Sequence, residues 1–355
     1  MAIDRSLHDT WSALPVADVL DVGFDEDQNS PAVDLQTWWD GVLSAHPWYR
    51  QATVIENDET LGRIQYFVRR SRLGFAWGRN PDWSIPGSLS LHPQLTSTRR
   101  TEILEALVRQ LSPRISFYLV FRETAGWSPE TTEAFTRNGF EYSCLPTYQW
   151  GPEDADVLDL MKSKARSQLK LAQKQLEVME IGPEAFLSYY SRNLALENKR
   201  SVRPLPLAGA LLDAVSARGT LRITAARRQP GSADYEAAIA CTWDDDAYYY
   251  WMSSHSPNSS RLSGGKPHKD AVKVLILDAM RHARSLGLVF DTDGTGSSGG
   301  EHLFRDILKL RRADIRHIFK RTNKLAACYE RCKPLLLNMA GKLGLMGRPV
   351  AVRTT

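Results

Sequence analysis

The sequence has few cysteines and no long apolar segment. Four cysteines in 355 residues are too few for a disulfide framework. No stretch approaches the roughly 18 apolar residues of a membrane span, and the first residues, Met1 to Arg5, do not open an apolar signal segment. The eight histidines occur singly, without an H-x-x-x-H pair, so we expect no metal. These absences favour a reduced, cytoplasmic protein.

The composition is that of a globular protein with mixed surface charge. Apolar residues make up 43% of the chain and charged residues 24%, and the formal net charge is +4. A net charge this small does not by itself indicate nucleic-acid binding. A chain of 355 residues is long enough for about two domains.

One pattern of apolar and turn residues occurs twice, 169 residues apart. The first copy ends an apolar run at Leu119-Val120-Phe121, and the second ends one at Leu288-Val289-Phe290. Each run follows a predicted helix, over residues 99–111 and 268–286, and precedes a glycine-containing loop, a short helix and another extended segment. A helix–strand–helix–strand order found twice predicts two similar α/β domains.

We therefore predict an α/β fold with mixed sheets and two domains in tandem. The predicted parts are an N-terminal arm (residues 1–33), a first domain (34–150), a second domain (155–323) and a C-terminal helix with a tail (324–355). The other predicted helices cover residues 34–45, 155–176, 183–198 and 205–217. The other predicted strands cover residues 52–55, 63–69, 73–77, 140–150, 221–227, 236–243, 247–255 and 315–321.

Three strands followed by a helix, a strand, a helix and a strand is the element order of a GNAT acyltransferase domain. Four segments strengthen the likeness, namely Met161-Lys-Ser-Lys-Ala-Arg, Ala238-Ile-Ala-Cys, Ala247-Tyr-Tyr-Tyr-Trp-Met-Ser-Ser and Leu288-Val-Phe-Asp-Thr-Asp-Gly. Together they resemble the FemAB-like acyltransferases, in which two GNAT-type domains are joined in one chain. The resemblance rests on these segments for residues 155–321 and on architecture alone for residues 34–150.

The resemblance implies transfer of an acyl or aminoacyl group onto an amine. We expect an N-acyltransferase that takes acyl-CoA as co-substrate. Its small acceptor would be a sugar, a nucleotide-sugar or an amino acid, in polysaccharide or cell-envelope biosynthesis. The alternative donor is aminoacyl-tRNA, as in aminoacyl transfer of the peptidoglycan type.

GNAT-type domains splay two neighbouring strands and so expose backbone N–H groups to the donor. The equivalent splay here lies between the predicted strand over 247–255 and the strand that follows Gly287. Polar residues end both strands, and parallel neighbours place them at the same sheet edge. We expect Ser253 or nearby N–H groups to contact the carbonyl, and Asp291 or Asp293 to position the amine.

Strand alternation predicts how the aromatic residues of this region are distributed. It places Tyr249, Trp251 and Ser253 on one face, and Tyr248, Tyr250 and Met252 on the other. The expected substrate contacts are Tyr249, Trp251, His255 and Arg166.

The family also suggests a lysine and a phosphate-binding loop. A lysine follows an apolar residue on the helix before the last strand, and Leu308-Lys309 matches, although Leu310 to Ala313 replace the usual glycines. We expect Lys309 to stabilise charge on the leaving group or the donor phosphate. The loop before residue 268 has an arginine and two glycines without the usual spacing. The expected cofactor contacts are Arg261, Gly264, Gly265, Lys266 and His268.

Basic residues cluster on the predicted helix over 155–176. Lys162, Arg166, Lys170 and Lys174 form one stripe without interleaved acidic residues. The stripe suits tRNA as the donor, and it equally suits a non-catalytic module that binds RNA or a polyanionic glycan. The basic and apolar C-terminal segment fits either a packing helix, which we favour, or peripheral membrane contact.

Two other enzyme classes fit the sequence poorly. The stretch from Gly294 to Gly299 matches the dinucleotide pattern G-x-G-x-x-G, but only about 55 residues follow, too few for the rest of a Rossmann domain. Ser254, His255 and Asp291 could suggest a hydrolase, but no serine lies in a G-x-S-x-G elbow.

Overall fold

The computed structural model describes residues 40–70, 74–81, 83, 89–122, 128–199, 204–228, 234–257, 265–294, 298–324, 327 and 328. The predicted N-terminal arm, Arg261, Gly264 and most of the predicted C-terminal helix lie outside these residues. None of the described helices is long and apolar enough to cross a membrane.

Helices and strands alternate along the described chain. The helices are α1 (Asp40–Ser44), α2 (Ser97–Gln110), α3 (Pro129–Arg137), α4 (Val157–Leu160), α5 (Ser163–Gln175), α6 (Pro183–Leu196), α7 (Leu205–Ala217), α8 (Ala271–Ser285) and α9 (Ser298–Glu301), which continues as a π-helix (His302–Ile307). The strands are β1 (Tyr49–Glu56), β2 (Glu59–Arg70), β3 (Ala76–Arg79), β4 (Leu89–Leu91), β5 (Ile115–Arg122), β6 (Glu141–Trp150), β7 (Leu176–Glu180), β8 (Leu221–Arg228), β9 (Tyr235–Trp243), β10 (Ala247–His255), β11 (Val289–Asp291) and β12 (Arg311–Arg321).

The predicted repeat is present in the structure. The order α2–β5–α3–β6 in the first half of the chain recurs as α8–β11–α9–β12 in the second half. Each half also has a parallel strand pair at the corresponding place, β3 with β5 and β10 with β11. The predicted α/β fold class with two GNAT-like units is therefore confirmed.

The two halves exchange their last strands. The sheet of the described residues runs β1-β2-β3-β5-β12-β6-β11-β10-β9-β8-β7, with β4 beside β2. The last strand of the second half, β12, thus pairs antiparallel with β5 and β6 of the first half. The last strand of the first half, β6, pairs with β11 of the second half. The predicted boundary at residues 150–155 assigns β12 to the second domain, whereas both of its sheet neighbours come from the first.

Three apolar clusters hold the helices on the sheet. One lies under α2 and α3 in the first half, and a second lies under α5, α8 and the π-helix in the second half. The third covers the opposite face of the sheet and joins the halves, because Leu43 and Phe67 pack there with residues of α6, α7 and β10.

The prediction of one helix over residues 155–176 is wrong at its start. The chain turns at Met161 and Lys162, which have extended backbone conformations, and this separates α4 from α5. The guanidinium of Arg166 donates to the carbonyl oxygens of Asp159 and Met161 at 3.1 Å each. These bonds satisfy carbonyl groups that the end of α4 leaves without helical partners.

Three further details of the sheet differ from the predictions. Strand β7 begins at Leu176, where a helix end is predicted, and it pairs with β8. Strand β4 lies where only a loop is predicted, and β3 is displaced to Ala76–Arg79 from the predicted 73–77. All three are strands of three to five residues, so local patterns define them weakly.

Phe319 tests the strand exchange because it carries β12 into the first-half core. Its side chain is fully buried, and its ring lies 4.2 Å from that of Phe135 in α3. We expect Phe319→Ala to lower the free energy of unfolding by about 3–5 kcal/mol. Denaturant titration measures this loss. Lys320→Ala, at the exposed neighbour on the same strand, is the control and should change stability by less than about 0.5 kcal/mol. A small loss in Phe319→Ala would contradict the exchange.

Candidate active site

A notch opens in the sheet where β10 and β11 separate. The parallel pairing of these strands ends at Tyr249 and Asp291, whereas β10 continues to His255 along β9. A bulge between Tyr250 and Met252 adds one residue to β10 just beyond this point. In the described part of the chain no strand pairs with that edge of β10 after Tyr249. This edge of β10 is therefore open to pairing with a ligand.

The bulge makes the predicted alternation along β10 wrong beyond Trp251. Met252 packs with Tyr249 in the cluster that joins the halves, while Tyr250 lies against the cluster under α8. The extra residue reverses which face the following side chains occupy. The Nε1 of Trp251 donates to the carbonyl oxygen of Trp83, 2.8 Å away, so a first-half residue contacts the bulge.

Asp291 lies at the base of the notch with no exposed surface. Its carboxylate accepts from Thr147 Oγ1 at 2.6 Å and Gln149 Nε2 at 2.7 Å, both on β6, and from the backbone N–H of Asp293 at 2.8 Å. It also pairs with the Arg122 guanidinium at 2.8 Å. Four donors fix the position of this carboxylate. This geometry suits Asp291 to positioning the strand ends rather than to touching the acceptor.

Arg122 and Tyr249 complete the base of the notch. Burial alone lowers the pKa of Arg122, but the neighbouring Asp291 carboxylate opposes this and leaves that pKa above its usual value. The guanidinium carbon lies 4.8 Å from the centre of the Tyr249 ring. The Tyr249 hydroxyl donates to Asp244 at 2.9 Å, and burial raises the pKa of Tyr249. Tyr249 is therefore neutral, and contacts with Asp244 at its hydroxyl and Arg122 at its ring fix its position.

The loop after β11 crosses the sheet toward β12. Asp293 and Gly294 both have positive φ, and Gly294 N–H donates to Thr147 Oγ1 at 3.1 Å. The Arg316 guanidinium donates to the carbonyl oxygen of Asp293 at 2.7 Å, and its Nε lies 3.8 Å from the Asp293 carboxylate. The φ of Gly294 is 100°, so a side chain there would strain the backbone, and its Cβ would also displace the Arg316 Nη1, which lies 1.8 Å from the Cβ position. Asp293 is thus partly exposed beside the notch.

Lys309 ends the π-helix in a left-handed backbone conformation, with φ of 58°. The N–H of Leu310 donates to the carbonyl oxygen of Phe304 at 2.9 Å across this turn. This closure resembles the Schellman motif, in which glycine is usual at the left-handed position, but it spans one residue more. The Lys309 side chain is exposed. A lysine at this position is strained, which is a feature of functional sites.

The expected cofactor loop lies at the start of α8. Gly265 has φ of 91°, which favours glycine, and Lys266 is exposed. His268 Nδ1 accepts from Asp270 N–H at 3.3 Å, and its Nε2 lies 3.1 Å from Gln175 Oε1 at the end of α5. Burial is the main cause that lowers the pKa of His268, so the ring is neutral. The first backbone N–H groups of α8 can donate to a phosphate.

The remaining predicted residues occupy different places. Ser253 and His255 are exposed on β10 beyond the bulge. Arg166 holds the corner between α4 and α5. Of the predicted site, the structure thus brings together Tyr249, Asp291 and Asp293. No group of three or more His, Cys, Asp or Glu in the described ranges could hold a metal ion.

Sequence reasoning missed the first-half residues of this site. Arg122, Thr147 and Gln149 all contact Asp291. Arg122 follows Phe121 as Asp291 follows Phe290, so it occupies the position equivalent to Asp291 in the repeat. The repeat could therefore have drawn attention to Arg122. It could not have predicted that Arg122 pairs with Asp291, the equivalent residue of the second half.

Residues 161–299 match the family model for a GNAT acetyltransferase domain. This segment is a GNAT-type acyltransferase domain. The matched segment begins just before α5, includes both strands of the notch and ends in α9. No curated protein matches the chain.

Solved structures share the fold over nearly the whole chain. FemX is similar at 13% identity with a TM-score of 0.55, over 93% of this chain and 98% of FemX. The C-terminal domain described as a lysylphosphatidylglycerol synthetase from Agrobacterium fabrum is similar at 13% identity with a TM-score of 0.51, over 84% of this chain and 91% of that one. At this identity the likenesses establish the fold, which is that of FemX.

Lys309→Gly separates backbone strain from side-chain function. Because glycine adopts positive φ without a clash, we expect this variant to raise the free energy of unfolding by about 1 kcal/mol. Denaturant titration provides the measurement. Asn198→Gly is the matched control, since Asn198 also has positive φ, at 53°, and asparagine tolerates it better. Its gain should be smaller. A loss of stability in Lys309→Gly would show that the lysine side chain stabilises the fold.

His268 should make stability depend on pH. Its pKa in the folded state is lowered, so below about pH 6.5 the unfolded chain binds more protons and stability falls as pH drops. We expect His268→Gln to lose less stability than the parent between pH 7 and 5.5, measured by thermal melting. His302→Gln, at an exposed histidine, is the control. Equal pH slopes for the parent and His268→Gln would refute the assignment.

Proposed function

We propose that the protein is an N-acyltransferase that uses acyl-CoA to acylate the amine of a sugar, nucleotide-sugar or amino acid. The observation that carries this proposal is the notch, where β10 and β11 separate after Tyr249 and Asp291 beside a bulge. An acyl donor in the notch can pair its amide groups with the free edge of β10, as an added strand would. The cytoplasm and cell-envelope or polysaccharide synthesis are the proposed setting.

The donor would lie between the notch and the start of α8. The thioester carbonyl would accept from backbone N–H groups at the bulge or from the exposed Ser253 hydroxyl. The pyrophosphate would lie at the first turn of α8, near Gly265, Lys266 and His268. The three are neighbours in a loop that Arg228 fixes by donating to the Lys266 carbonyl oxygen.

The chemistry requires a neutral amine and a stabilised leaving group. The amine nitrogen forms a bond with the carbonyl carbon, the C–S bond breaks, and the proton lost by nitrogen passes to the departing thiolate or to solvent. The partly exposed Asp293 would orient the amine, and Asp291 would hold the strand ends in place. Lys309 would place its ammonium near the leaving group or the donor phosphate.

Aminoacyl-tRNA is the second candidate donor, and α5 supports it. Lys162, Lys164, Lys170 and Lys174 are exposed, and none forms a salt bridge within the described part of the chain. Lys164 and Lys174 are separated by about 15 Å along the helix axis, more than a pyrophosphate spans. Gln175, which contacts His268, joins this basic helix to the cofactor loop. The same surface would serve a non-catalytic module that binds RNA or a glycan.

A thermal-shift titration with acetyl-CoA, longer acyl-CoAs, free CoA and bulk tRNA distinguishes these candidates. A ligand that binds only the folded protein raises the melting temperature, so we expect a rise with acyl-CoA. Lys170→Glu combined with Lys174→Glu should abolish a shift caused by tRNA and leave one caused by CoA. A shift with tRNA alone would replace acyl-CoA with aminoacyl-tRNA as donor. No shift with any of them would contradict transferase function.

Turnover is measured as thiol release from acetyl-CoA with D-glucosamine as the probe acceptor. We expect Lys309→Gly to lower kcat roughly 100-fold, as loss of one group that stabilises developing charge does. Asn198→Gly is the control for the change to glycine and should retain full activity. Normal kcat in Lys309→Gly would remove Lys309 from the mechanism. Salt-sensitive tRNA binding without any thiol release would favour the binding module.

A further inference from the structure

Arg122 lies at the end of β5 in the first half, yet its side chain belongs to the notch of the second half. Its Nη2 donates to Asp291 at 2.8 Å, and its guanidinium lies over the Tyr249 ring. The side chain is only 9% exposed. The GNAT family match begins at residue 161, so Arg122 lies outside the segment that it covers.

One nitrogen of Arg122 is buried without an acceptor. Nη1 has no hydrogen-bond partner among the described residues. Among the described residues, the other buried arginine nitrogens without an acceptor are all Nε atoms, which lie within the side chain rather than at its end. They belong to Arg63, Arg69, Arg79, Arg166, Arg284 and Arg321. A terminal guanidinium donor is rarely left unpaired inside a protein, so an acceptor from outside the chain is the natural partner.

The charges around Arg122 select the kind of acceptor. The Asp291 carboxylate already balances the guanidinium, and Asp293 lies next to Arg316. A phosphate or carboxylate at Nη1 would add an unbalanced negative charge close to the buried Asp291. An uncharged oxygen accepts the same hydrogen bond without that repulsion. The aromatic face of Tyr249 beside it also suits a carbon-bound hydroxyl or an amide.

We propose that Arg122 binds the acceptor directly, with Nη1 donating a hydrogen bond to an uncharged oxygen, a hydroxyl or an amide carbonyl, near the amine that is acylated. This inference rests on the proposed function. It makes the first half a part of the active site, because the residue that recognises the acceptor comes from β5 while the notch lies between β10 and β11. It also favours amino sugars, whose amine is flanked by hydroxyl groups, over amino acids, whose amine is flanked by a carboxylate.

Arg122→Lys tests the contact. Lysine keeps the positive charge beside Asp291 but replaces the planar fork by a single ammonium, so it cannot serve both partners in the same geometry. We expect KM for D-glucosamine to rise about 10- to 100-fold, as for loss of a hydrogen bond from a charged donor. KM for acetyl-CoA should stay within about twofold, since the donor contacts remain. An unchanged KM for glucosamine would overturn the proposal.

Arg321→Lys is the matched control. Arg321 is another arginine with a buried Nε that lacks an acceptor, and it lies over the Phe140 ring at 4.5 Å. It donates to the carbonyl oxygens of Leu111 and Ser112, so it belongs to the first-half core rather than to the notch. We expect this variant to melt at a lower temperature and to keep both KM values. A similar rise in KM for glucosamine in Arg321→Lys would show that lost packing explains the effect, and would overturn the proposal.

A second measurement needs no turnover. In protein labelled with 15N-arginine, the Arg122 guanidinium signal, assigned by its loss in Arg122→Lys, should move when D-glucosamine is added. Movement without thiol release from acetyl-CoA would support the contact while contradicting the proposed reaction. Thiol release with a stationary Arg122 signal would overturn the contact and leave the reaction standing. A stationary signal with no thiol release would contradict both.

Discussion

The buried ion pair between Arg122 and Asp291 is the contact on which the arrangement of the two halves depends. The partners are 169 residues apart, the spacing of the repeat itself, so equivalent positions meet where the halves join. Burying both charges is costly, and removal of one partner from such a pair typically costs about 3–5 kcal/mol. Thr147 and Gln149 offset part of this cost by donating to the same carboxylate. The pair fixes the end of β11, and hence the point at which the notch opens.

The strand exchange explains why these charges can be buried. Because β6 lies between β12 and β11, Thr147 and Gln149 reach Asp291 from a strand that the first half supplies. Because β12 lies between β5 and β6, Phe319 completes the first-half core from the end of the second half. Neither half therefore keeps a complete sheet without the other. The site forms at the seam of the exchange, where both halves must be folded for any of its contacts to exist.

Local sequence patterns predicted most helices and strands but not the contacts where the two halves join. The helix at residues 205–217 follows from periodicity, because it buries one regular apolar face. The strand at residues 247–255 follows from its run of aromatic residues, which pack on both faces of the sheet. The bulge at Trp251 adds one residue without a turn signal, so alternation gave the wrong face for Met252. Arg122 was not singled out from the sequence. Its pairing depends on the exchange of β6 and β12, which is set by contacts far apart in sequence and leaves no local periodic signal.

The two halves share a topology but differ at the position that matters for chemistry. In the first half the parallel pairing of β3 and β5 ends at Arg79 and Tyr118, as that of β10 and β11 ends in the second half. There, however, the Asn80 amide accepts from the N–H of Val120 at 2.6 Å and donates to its carbonyl oxygen at 2.8 Å. The side chain thus occupies backbone groups that an acyl donor would need. Asn80 therefore closes the opening in the first half. The first half contributes Arg122, at the end of β5, to the notch of the second half instead.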